Sequence, residues 1–113
     1  MTATDEVIDK WLPQVRKGLL EFMILEIVAT RVSYGYEIAS RLKAALRAEI
    51  AEGTLYPLLK RLVRDELVTT QWVTDSQSGP RKYYQVTKLG TQVLLRMRQE
   101  WAVIQAAREE LAI

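Results

Sequence analysis

A mainly α-helical fold with one small β-hairpin and a long terminal helix is predicted by three features of this 113-residue sequence. Apolar residues recur at helical spacing through most of its first half. Two runs rich in β-branched and aromatic residues then flank a polar loop containing Gly79 and Pro80. The last stretch repeats apolar residues in steps of three and four, with no later element to cover them.

The first acidic stretch, Thr2 to Leu12, suits a short helix, with Asp5, Glu6 and Asp9 near its positive end and Pro13 stopping it. Gln14 to Arg31 is the first long helix. Leu19, Leu20, Phe22, Met23, Ile24, Leu25, Ile27 and Val28 wrap nearly all its faces, which calls for cover on every side and hints at a second subunit. Ser33-Tyr34-Gly35 reads as a turn whose Ser33 caps the next helix, Gly35 to Leu46. A third helix is expected from Glu52 to Asp65. Leu55, Leu58, Leu59 and Leu62 form its apolar face, and Gly53, Pro57, Lys60 and Arg64 lie opposite, flanked by Thr54, Tyr56 and Arg61. Pro57 is compatible with that helix only if it starts no earlier than about Glu52.

Val68 to Thr74 and Arg81 to Val86 make the hairpin, and the basic pair Arg81-Lys82 leaves its tip. Tyr83 and Tyr84 alternate to opposite strand faces, one toward the core and one outward. Thr87 caps the final helix, Lys88 to Leu111, on which Leu94, Met97, Trp101, Ile104 and Leu111 trace a heptad seam, with Arg108 in the missing position. A long amphipathic helix with nothing after it points to a partner chain. The expected organisation is residues 1–87 as a helix-turn-helix unit with its N-terminal helix, and residues 88–113 as a C-terminal dimerisation helix.

Composition narrows the chemistry. With neither cysteine nor histidine, disulfides, thiolate chemistry, the usual zinc sites and histidine-dependent triads are excluded. No phosphate-cradling glycine loop and no nucleophile–base pair is recognisable, so neither a catalytic residue nor a cofactor is expected. Net charge is only +2, but its distribution is uneven. Between Gly53 and Gly90 stand Lys60, Arg61, Arg64, Arg81, Lys82 and Lys88 against Asp65, Glu66 and Asp75. Met1 to Lys10 lacks an apolar signal core, and the run Leu19 to Val28 is broken by Glu21 and Glu26 and too short for a bilayer. A cytoplasmic chain without a membrane partner is expected.

Two helices joined by a tight turn, a third amphipathic helix and a basic-tipped hairpin make the winged helix-turn-helix plan. The major groove of duplex DNA, about 12 Å wide, admits one such helix. Thr54, Tyr56, Lys60, Arg61 and Arg64 on the third helix are the candidate DNA contacts, the cations chiefly to phosphate. Arg81 and Lys82 would meet the adjacent backbone or minor groove. Gly79 serves the turn, and close phosphate approach is its second role. Tyr34 and Tyr36 are read as packing residues, and Trp11 and Trp72 as covers for core edges.

Several motifs also resemble the PadR-like transcriptional regulators. These are Leu19-Leu20-Glu21 before an apolar helix, Tyr34-Gly35-Tyr36-Glu37-Ile38, the stretch Glu52-Gly53-Thr54-Leu55-Tyr56-Pro57-Leu58-Leu59-Lys60-Arg61-Leu62, and Arg81-Lys82-Tyr83-Tyr84-Gln85-Val86-Thr87. The likeness covers about residues 17 to 112 in order and spacing, and the single C-terminal helix is similar to the small branch that includes multidrug-sensing repressors. The resemblance implies a homodimer held by its terminal helices, operator binding by the third helix and wing, and repression relieved by a ligand. It also implies that Trp101, with Met97 and Ile104 a turn to either side, forms a shelf for a planar aromatic effector; the alternative is that Trp101 fills the dimer core. The family often has Ser or Asn where this chain has Ala51, which leaves Thr54 to cap the third helix in its place. Two other functions fit the same plan: a winged helix used for protein–protein assembly, and a chain that is primarily a small-molecule sensor.

Overall fold

A computed structural model describes residues 1–74, 77 and 79–113. The chain runs α1 (Ala3–Thr30), β1 (Ser33–Tyr34), α2 (Gly35–Leu46), α3 (Glu52–Arg64), β2 (Val68–Val73), β3 (Arg81–Val86) and α4 (Lys88–Leu111). This is a mainly helical winged helix-turn-helix with a long C-terminal helix, as the sequence predicts. Asp75, Ser76 and Ser78 of the expected hairpin loop lie outside the described residues.

Helix α1 corrects the first expectation: it passes through Pro13 without a break, so the two separate helices are one. Proline removes the N–H that would meet the Asp9 carbonyl, but both Asp9 and Pro13 are exposed, and water can take that acceptor. The helix is started by Thr2, whose hydroxyl accepts from the Asp5 N–H at 3.1 Å while the Asp5 carboxylate accepts from the Thr2 N–H at 3.1 Å. That pairing holds the Asp5 carboxyl below its ordinary range.

Most of the apolar second half of α1 is covered within the protomer, while Leu19, Phe22 and Met23 stay half-exposed. Leu20, Ile24, Leu25, Ile27 and Val28 are buried together with Ile38 and Leu42 of α2, Leu55, Leu59 and Leu62 of α3, Val68, Tyr84 and Leu94. The full-circle hydrophobicity expected to call for a second subunit is therefore met only in part by the chain's own elements. The two terminal stretches are the least covered. No residue before Leu20 or after Leu94 is buried, and Val7, Ile8 and Trp11 on α1 and Leu95, Val103, Ile104 and Leu111 on α4 are exposed. The radius of gyration, 16.4 Å, exceeds the roughly 13 Å of a globular chain this long, because these ends project.

The sheet has three strands in the order β1-β3-β2, one more than the hairpin read from the sequence. Ser33 and Tyr34, expected as a turn, pair antiparallel with Tyr84 and Tyr83. Ser33 does not cap α2. It is fully buried, and its hydroxyl donates to the Arg31 carbonyl at 3.0 Å. The start of α2 is instead closed by Glu37, whose carboxylate accepts from the Tyr34 N–H at 3.1 Å. Arg47 ends α2 in the left-handed region, with φ of 55°.

The start of α4 is tied down closely. Thr87 accepts from the Gly90 N–H at 2.9 Å, as expected of the cap, and its hydroxyl donates to the Glu66 carbonyl at 2.6 Å. Its N–H donates to the Leu67 carbonyl at 3.1 Å. Only glycine fits at 90: an added Cβ would stand 2.0 Å from the Leu67 carbonyl oxygen. Further along, the Arg98 guanidinium grips the Glu26 carboxylate of α1 with two hydrogen bonds, at 3.0 and 2.5 Å. The carboxylate raises the arginine's already high pKa further.

Candidate nucleic-acid interface

Helix α3 buries one side and bares the other. Leu55, Leu59 and Leu62 are sealed in the core, whereas Gly53, Pro57, Lys60 and Arg64 form an exposed strip along the opposite side. The third-helix residues expected to meet DNA sort along this strip and its flanks. Lys60 and Arg64 sit in it, and the Arg64 Nε donates to the neighbouring Asp65 carboxylate at 3.2 Å.

Thr54 does not cap the helix. It lies inside the first turn, and its N–H and that of Leu55 donate to the Ala51 carbonyl at 2.9 and 3.0 Å. Ala51 is the N-terminal flanking residue and offers no side-chain bond, so the first amides of α3 remain without a side-chain acceptor. They lie at the positive end of the helix dipole, where an anion is favoured.

Tyr56 occupies the flank toward α2. Its ring lies against Gly35, where a Cβ would come within 3.0 Å of the phenol oxygen. Yet it stays 44% exposed, so one edge packs the helix-turn-helix crossing and the other is free for a ligand. Arg61 occupies the flank toward α1, where its guanidinium meets the Glu21 carboxylate at 2.7 Å. Together with Lys17, Thr54, Pro57 and Arg64, Arg61 lines an open groove between α1 and α3.

In the wing, Gly79 has a φ of +89°, the left-handed geometry expected of a turn glycine. Arg81 and Lys82 take opposite faces of β3. The Arg81 guanidinium covers the Tyr34 ring at 4.5 Å, on the face where Tyr83 meets Tyr34 edge-on at 5.5 Å. Lys82 shares its face with Tyr84 and places its ammonium 5.8 Å from that ring. Tyr84 is therefore the core tyrosine, and Tyr83 is half-buried rather than fully outward. Burial, and then the charge of the nearby Tyr56, push the Tyr84 phenol pKa up. The Lys82 face of the wing thus continues inward to Tyr84 and Tyr56, which links it to α3.

Tyr36 departs from its reading as a packing residue. It is 71% exposed, stacked on Tyr34 at 6.4 Å. Trp11 and Trp72 cover no core edge, being 53% and 63% exposed. Trp72 lies directly across from Lys82 in the ladder. Lys17 and Glu21 were not singled out by the sequence as site residues, although their spacing of one helical turn, opposite a cationic helix, was a usable signal. On α4, Met97 packs against the core, Trp101 is half-buried and Ile104 is exposed, which gives a half-open apolar strip on one protomer. Among the described residues no cluster of acidic, histidine or cysteine side chains could hold a metal. Nor, among the described residues, is any helix long and apolar enough to cross a membrane.

Comparison with known proteins gives a consistent result. A sequence model of the Transcriptional regulator PadR-like family matches residues 24–96. A PadR family transcriptional regulator from Eggerthella lenta is 31% identical, with 96% of this chain and 95% of that one covered and a TM-score of 0.85. A PadR-like transcriptional regulator from Bacillus cereus is 33% identical over 87% of this chain and 95% of its own, with a TM-score of 0.78. An uncharacterized protein of Lysinibacillus sphaericus is 33% identical over 90 residues, 78% of this chain and 83% of that protein.

Proposed function

Because this chain belongs to the PadR-like family of transcriptional regulators, we propose that it binds operator DNA as a homodimeric repressor and catalyses no reaction. The observation that carries this reading is the exposed strip Gly53, Pro57, Lys60 and Arg64 on α3, with Arg81 and Lys82 on the wing strand β3. A helix with a cationic exposed side fits the major groove, and its uncapped amides suit a phosphate oxygen. Thr54, Tyr56, Lys60, Arg61 and Arg64, with Gly79, Arg81 and Lys82 of the wing, are the proposed contact set. Such a protein works where duplex DNA is found, in the cytoplasm.

Residues 1–87 supply the DNA-binding unit and residues 88–113 the dimerising helix. The uncovered Leu95, Val103, Ile104 and Leu111 support that role, since side chains of this kind gain about 1.5–3 kcal/mol each on full burial. In the dimer the contacts repeat at roughly 34–36 Å, one turn of duplex. Met97, Trp101 and Ile104 form the proposed strip for a planar aromatic effector that relieves repression.

A binding titration tests the reading, using the protein's own upstream DNA and a scrambled duplex at low and physiological salt. A repressor of its own locus prefers the upstream DNA by at least about 10³-fold, with steep salt dependence. Binding to neither duplex, with salt-insensitive capture of a protein partner, would favour an assembly module. The effector arm uses tryptophan fluorescence with a planar cationic dye. Trp101→Ala abolishes the quenching if Trp101 stacks on the ligand, and dissociates the dimer if it fills the interface.

A further inference from the structure

Among the described residues, Arg61 is the one proposed contact of α3 whose charge is met by a carboxylate from another helix: Glu21 of α1, at 2.7 Å and 40 residues away in sequence. The Glu21 side chain is 26% exposed and that of Arg61 46%, so the pair sits at the lip of the α1–α3 groove. Lys17 and Arg64 line the same groove with Arg61. Three cations therefore border a channel that runs along the proposed DNA face, and one of them is neutralised from α1.

Resting on the DNA-binding reading above, we propose that Glu21 is a specificity-setting residue. In this inference Arg61 leaves the contact set of the wild-type protein: Glu21 withholds that one cation per protomer from the phosphate backbone and so limits sequence-independent binding. Backbone affinity grows with each phosphate neutralised and each counterion released, whatever the sequence. A regulator must keep that term low enough for base contacts to discriminate among many competing sites. A carboxylate on α1 does so without changing any residue of α3 that faces a base. It also fixes the Arg61 fork against α1, so the same pair steadies the recognition helix.

The test measures salt dependence on a scrambled duplex for the wild-type protein, Glu21→Gln, Glu21→Ser and the double variant Glu21→Gln/Arg61→Gln. Freeing one arginine per protomer steepens the slope of log affinity against log salt by about 0.9, or about 1.8 for a dimer. The variant's advantage over wild type then shrinks about 12-fold between 50 and 200 mM salt, as expected from that slope. The double variant, which removes both charges, returns to the wild-type slope. Thermal melts identify a single variant that fails to fold, and the other carries the same expectation.

Folded single variants with the wild-type slope would overturn the proposal, as would a double variant that keeps the steeper slope. Wild-type protein that binds no duplex at low salt would instead overturn the DNA-binding reading, and this inference with it.

Discussion

Helices α3 and α4 are both half-covered, but what they leave bare differs in kind. The open side of α3 carries Lys60, Arg61 and Arg64 around Gly53 and Pro57, whereas the open side of α4 carries Leu95, Val103, Ile104 and Leu111. Cations on an open helix face are well solvated and lose little by waiting for an anion. Large aliphatic side chains in water carry a standing free-energy penalty that a second apolar surface removes. The contrast matches the proposed division, one helix for a polyanion and the other for protein, and each can be broken without touching the other.

The largest effect is expected where the two helices share a root. Gly90→Ala forces a methyl into the Leu67 carbonyl and should destabilise the fold by about 3 kcal/mol or more, read by denaturant melts. Gly53→Ala, with nothing within 4 Å of the added carbon, should leave stability within about 1 kcal/mol of wild type. Equal losses at the two positions would refute the close approach at Gly90.

Next comes assembly. Ile104→Asp places a charge in the proposed interface and should raise the dimer dissociation constant at least about 100-fold, while the protomer's helical signal persists. Sedimentation separates this from unfolding, and an unchanged dimer would move the interface off α4.

Smaller in free energy is the electrostatic side. Arg81→Ala with Lys82→Ala should weaken binding to every duplex and flatten the salt slope by up to about 1.8 per protomer. An unchanged slope removes the wing from the DNA contact set.

The smallest effect concerns Tyr84. Its phenol pKa is raised in the folded state, so its contribution is fully present below the ordinary value of 10.0 and is lost as pH rises above it through the folded value. Tyr84→Phe should flatten the alkaline limb of the stability profile. An identical alkaline limb would place Tyr84 outside the buried cluster.

Local signals made much of this structure readable. The bounds of α2 and α4 follow from Gly35, from the Thr87 cap and from an apolar period broken on α4 only at Arg108, and they fall where the sequence places them. The errors have in common that the deciding partner is distant. The strand at Ser33 and Tyr34 has too few residues for any alternating pattern and exists because β3, some fifty residues later, offers its edge. Ser33 looked like a cap because its type suits one, yet burial turned its hydroxyl to Arg31. Pro13 reads as a stop, but nothing in a local rule says that the carbonyl it orphans is exposed. The Arg61–Glu21 pair joins two helices, so the third helix read alone counts a cation that α1 already neutralises.

The grip of Arg98 on Glu26 also makes the end of α4 a cantilever. Beyond that clamp the helix continues from Gln99 to Leu111 with no buried residue, an arm about 20 Å long at roughly 1.5 Å per residue. A tilt of about 10° at the clamp carries the tip through about 3 Å, by the geometry of an arm of that length. In the proposed dimer, joined through two such arms, the spacing of the two α3 helices would follow the angle at which each α4 leaves its core.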